Sequence, residues 1–162
     1  MDGYEAFAWR HFKGQRERQV ARLATFRRGK HMTFVVGYLA ALVTFVAVDM
    51  VWLGIMVERV YRPAIGDLLA PSVGLPAAIV FYLIFPVGLT LFAVLPALQN
   101  ESAGNAAILG GLFGFFAYAT YDLTNQATLR NWPTHLTVID LAWGSALAAL
   151  AATIGDLAAS RF

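Results

Sequence analysis

Tyr118-Ala119-Thr120-Tyr121-Asp122-Leu123-Thr124-Asn125 is the stretch on which the reading of this chain turns. It closes a long apolar run, yet holds a carboxylate, an amide, two phenols and two hydroxyls within about two helical turns. Lipid does not solvate such groups, so inside a membrane they need partners within the protein. Two more acids, Asp49 and Asp140, interrupt other apolar runs.

Composition says the same of the whole chain. Of 162 residues 59% are hydrophobic, and the mean hydropathy is +0.60. Soluble domains are usually about 45–50% apolar. The excess, with runs of spanning length, predicts an all-α integral membrane protein of one domain. The absence of cysteine excludes disulfides, thiolate metal sites and Cys nucleophiles.

Basicity is local. Eight of the twelve Lys and Arg lie from Arg10 to Lys30. Residues 1–31 read either as a basic arm on anionic lipid or as an extension outside the working protein. Arg27-Arg28-Gly29-Lys30-His31 precedes Met32, and two arginine codons can spell a ribosome-binding sequence there. The segment then reflects a start placed too far upstream, or non-native residues. Met32 is the expected start, with 32–162 forming the membrane domain. Nucleic-acid binding is not expected, because the basic run joins no recognition fold.

Four antiparallel spans are predicted, about 33–57, 74–98, 105–129 and 136–158. The first ends at Glu58, Arg59, Tyr61, Arg62 and Pro63, and Ala64 to Ala70 fits a short surface helix. Pro86 should kink the second. Gly110 and Gly114 form a G-x-x-x-G in the third, which permits close helix approach. Pro133 and Thr134 read as a helix start, with Trp132 an interfacial anchor. The fourth span has the smallest face, from Gly144 to Gly155.

Depth then brings the acids together. Asp49, Asp122 and Asp140 should lie about 12, 10 and 9 Å below the face bearing loops 58–73 and 130–135. A carboxylate at a helix centre costs about 2.5–3.5 kcal/mol, so all three should face inward. Repulsion among them calls for a proton, a cation or an arginine, and Arg59, Arg62 and Arg130 are the candidates, with His135 also in reach. The expected ligand-binding or proton-carrying set is Asp49, Trp52, Tyr118, Tyr121, Asp122, Asn125, Asp140 and Trp143. The same residues also fit structural glue between helices.

Several segments resemble a family of small bacterial inner-membrane proteins catalogued under the unknown-function number 2177. They are Tyr38-Leu39-Ala40, Asp49-Met50-Val51-Trp52-Leu53-Gly54, Phe92 to Leu98, Gly114 to Asn125, Trp132-Pro133 and Asp140-Leu141-Ala142-Trp143-Gly144. The likeness runs from Met32 to about Ala158. It implies four membrane helices, a multi-pass place in the inner membrane and a start near Met32. It implies no activity.

Three functions fit the residues. The first is binding or transport of a small polar molecule, a cation or a lipid headgroup in the acidic and aromatic pocket. The second is an accessory subunit of a larger membrane complex. The third is an interfacial enzyme on a lipid-like substrate, for which neither a nucleophile motif nor a dense metal-ligand motif is present. The sequence names no cofactor. Expected partners are membrane lipids and a second copy or larger complex. Topology depends on residues 1–31. If native, they hold the N-terminus in the cytoplasm and the loop face points outward; if Met32 is the start, the remaining arginines favour a loop face toward the cytoplasm.

Overall fold

The computed structural model describes residues 31–99 and 102–162, which form four helices and no strand. The expectations for the basic segment up to Lys30 lie outside the described residues. We label the helices α1 (His31–Leu68), α2 (Leu75–Gln99), α3 (Ala103–Thr128) and α4 (Thr134–Ala159). Each is long and apolar enough to cross a membrane.

α1 extends beyond the expected end at residue 57. A π turn over Val57–Tyr61 carries it onward, with the Arg62 N–H reaching back to the Val57 carbonyl. Pro63 lies in the first turn of the segment that follows, where a missing N–H costs little. The helix then tightens over Gly66–Leu68 and stops. One extra residue is thereby accommodated without breaking the rod.

α2 starts with Pro76 in its first turn and holds Pro86 in its interior. Pro86 is buried, and its carbonyl accepts the Thr90 hydroxyl at 2.7 Å. A second π turn follows at Thr90–Val94. Ser102 caps α3 by accepting the Asn105 N–H at 3.4 Å. Asn131 takes a left-handed φ of 59°, a conformation asparagine tolerates better than most residues, in the turn leading to α4. Pro133 and Thr134 begin α4 as expected. Trp132 does not sit outward as an anchor. It is buried, and its indole donates to Thr137 Oγ1 at 3.1 Å. Thr137 donates to Gln126, and Gln126 to Thr134, which ties the α3–α4 turn together.

The centre of the bundle is a seam of small residues. A Cβ on Gly110 would stand 2.6 Å from Ala152 Cβ and 2.7 Å from the Ala148 carbonyl oxygen. One on Gly114 would collide with the Gly144 carbonyl and Ala148. Only glycine permits backbones this close. α1 joins α4 the same way, with Gly37 against Ala159 and Gly155 against the Gly37 carbonyl. Phe45, Leu89, Val94 and Leu147 complete the buried core.

Candidate functional site

Toward the loop face the small residues give way to Trp52, Tyr61, Tyr82, Tyr118 and Trp143, and among them lie the three acids. Asp49, Asp122 and Asp140 are 5, 0 and 6% exposed. Each comes from a different helix, α1, α3 and α4.

Asp49 is held from two sides. Tyr82 on α2 donates to Oδ2 at 2.6 Å, and the Trp143 indole on α4 donates to Oδ1 at 3.1 Å. Trp143 stacks on Trp52 with ring centroids 4.0 Å apart and planes 8° apart. Trp52 in turn donates to the Tyr61 hydroxyl at 3.3 Å, and Tyr61 donates to Asp140 Oδ1 at 2.5 Å. A continuous chain thus runs from α2 through α1 and α4 and back to the end of α1.

Asp122 is different. It lies within electrostatic reach of the Asp140 carboxyl group, and Asp140 within reach of Asp49. Yet neither Asp122 oxygen accepts a hydrogen bond from any described residue. Two ionised carboxylates have no proton to share. A single proton held between them would supply an O–H donor, and a bound ammonium would supply several. A fully buried, unpaired charge otherwise carries a penalty of several kcal/mol.

Tyr118 stands between these groups and the outside. Its ring lies on Gly144, where a Cβ would overlap it, and meets Phe85 edge-on at 6.5 Å. It is electrostatically coupled to Asp49, Asp140 and Asp122 together.

Other expected groups fall elsewhere. Tyr121 is 61% exposed and packs edge-on against Trp132 at 6.1 Å, so it is not part of the centre. Asn125 is half-buried nearer the loop, where its carbonyl accepts the Leu129 N–H. Thr120, Thr124 and Thr128 face outward and donate to carbonyls of their own helix, at Phe116, Thr120 and Thr124. Their polarity is satisfied locally, with no partner across the bundle. No arginine neutralises the acids among the described residues. Arg62 pairs with Glu58 on the surface at 2.9 Å, and Arg59, Arg130 and His135 are exposed. Nor do three His, Cys, Asp or Glu side chains converge as metal ligands among the described residues.

Three residues escaped the sequence reading. Tyr82 looked like a lone phenol in an apolar run. Tyr61 lies 12 residues after Asp49, about 120° away on a regular α-helix. The π turn removes about one residue of rotation and returns it to within about 20° of the Asp49 face. Asp156, at the far end of α4, is 4% exposed with an unpartnered Oδ1. An acid within the last turns of an apolar span was its only signal.

A cavity of about 490 Å³ lies on the loop face between the end of α1 and residues 69–74, with Tyr61 and Arg62 in its wall. Tyr61 therefore touches both this vestibule and Asp140.

No curated protein and no solved structure matches the chain. A family model described as predicted membrane protein (DUF2177) matches residues 34–157, which include every residue of the acidic centre and Asp156 at the opposite end. The chain belongs to that family.

Proposed function

We propose that this membrane protein binds a small cationic or proton-donating group at Asp122 and Asp140, and that Asp122 is the group that meets it. One observation carries the reading. Asp122 is fully buried and accepts no hydrogen bond from the described residues, while Asp49 and Asp140 are held by phenol and indole donors. Acids serving only as glue between helices are satisfied by their neighbours; Asp122 is not. The vestibule gives a route from the loop face to Tyr61, and rotation of the Tyr61 hydroxyl away from Asp140 would open the pair. Four helices are few for a complete carrier, so transport by this site calls for a second copy.

Methylammonium is the simplest probe. Purified protein reconstituted in phosphatidylcholine nanodiscs should bind it in a way that competes with protons and is lost in Asp122→Asn. Binding that persists unchanged in Asp122→Asn would overturn the proposal. In proteoliposomes the same substitution should abolish methylammonium uptake.

A further inference from the structure

The acidic centre has a second neighbour that the vestibule does not explain. A groove of about 430 Å³ lies between α2 and α3, lined by Phe81, Phe85, Ala117, Tyr118 and Tyr121. Its lining is almost wholly carbon. Phe81 and Tyr121 are exposed on the flank of the bundle, within α2 and α3, so in a bilayer the groove would open sideways toward the acyl chains. At its inner end stands Tyr118, the side chain coupled to all three acids. One ring therefore borders an apolar groove and lies near the buried carboxyl cluster.

From this juxtaposition we infer that the ligand is a long-chain amine: an amphiphile whose hydrocarbon chain lies in the Phe81–Phe85–Ala117 groove and whose ammonium reaches past Tyr118 to Asp122. The inference rests on the proposed reading of Asp122 and adds the chemical class of what binds there. Charge complementarity selects the headgroup. The centre holds three carboxyl groups, and the nearby basic side chains Arg59, Arg62 and Arg130 all point away to the surface. An anionic headgroup would meet repulsion without compensation. An uncharged alcohol would leave Asp122 without a countercharge. An ammonium offers three donors to the Asp122 carboxyl group, whose two oxygens accept none from the described residues. The groove supplies the other half: a chain already dissolved in the bilayer enters it laterally, without crossing water. The Tyr118 ring, seated on Gly144, is the swinging partition between the two compartments.

The test compares radiolabelled hexadecylamine with methylammonium in phosphatidylcholine nanodiscs holding the full chain. Hexadecylamine should be displaced by unlabelled hexadecylamine but not by hexadecanol or hexadecyl sulfate. Ala117→Phe, which fills the groove, should weaken hexadecylamine about tenfold or more and leave methylammonium unchanged. Asp122→Asn should remove both. The unfolding temperature of each variant checks that it is folded, and the wild-type competition decides the headgroup even if a variant is not. Equal displacement by hexadecyl sulfate, or hexadecylamine binding unaffected by Ala117→Phe, would overturn the inference while leaving the methylammonium site intact. Methylammonium binding that ignores Asp122→Asn would remove the underlying reading as well.

Discussion

Trp52 and Trp143 lie face to face across α1 and α4, 4.0 Å between centroids and 8° from parallel. Each indole N–H points to a different acid chain, one to Asp49 directly and one to Asp140 through Tyr61. Among the described residues the stack thus joins two hydrogen-bond chains, Tyr82–Asp49–Trp143 and Trp52–Tyr61–Asp140. Trp143→Phe keeps an aromatic plane and deletes the bond to Asp49. It should destabilise the protein in detergent by about 1–3 kcal/mol. A double-mutant cycle with Trp52→Phe should show coupling of about 0.5–1.5 kcal/mol beyond area loss.

The carboxyl groups of Asp49 and Asp122 should respond in opposite directions to the same substitution. Asp49→Asn disturbs the two bonds that Asp49 accepts from Tyr82 and Trp143 and should lower the unfolding midpoint, by about 1–3 kcal/mol. Asp122→Asn removes an unpartnered buried charge and should raise the midpoint of the ligand-free protein. Denaturant or thermal unfolding of the two variants, side by side, checks the contrast. Loss of stability in both would make Asp122 a structural group. A gain in stability at the cost of binding is the usual mark of a site kept for function.

The helical spans were legible because they follow from the 1.5 Å rise and from runs of apolar residues. What sequence could not show was rotation. Tyr61 belongs to the centre only because the π turn at Val57–Tyr61 turns it inward, and no residue there advertises a π turn. Polarity alone misled at Tyr121, which lies on the outer face next to Trp132. Thr120 and Thr124 misled for another reason: a threonine hydroxyl can satisfy itself on the preceding turn, so its presence in a span demands no partner.

The π turn itself can be tested. Deleting Val60 removes the extra residue, so a regular helix then places Tyr61 11 residues after Asp49, still within about 20° of the Asp49 face. Tyr61→Phe should therefore cost as much in the deletion as in the undeleted chain. A Tyr61→Phe cost that vanishes in the deletion would show that the π turn does more for Tyr61 than take up one residue.

Gly144 and Gly54 offer a matched pair of glycines. A methyl on Gly144 meets the Tyr118 ring, whereas one on Gly54 meets nothing within 4 Å. Gly144→Ala should therefore cost about 1–3 kcal/mol through overpacking. Gly54→Ala should be neutral or stabilising through helix propensity, by about 1 kcal/mol at most. Thermal unfolding of both proteins gives the comparison. Gly144→Ala should also alter hexadecylamine binding, because it displaces the partition ring.

The glycine seam has a consequence for passage. Where Gly110 and Gly114 press on Ala148, Ala152 and Gly144, there is no room for one added methyl, and so none for a water molecule. This band lies between Asp140 and Asp156 along α4, so the α3–α4 seam itself works as a dry septum between the acids at its two ends. Passage along that seam from one acid to the other requires α3 and α4 first to unzip.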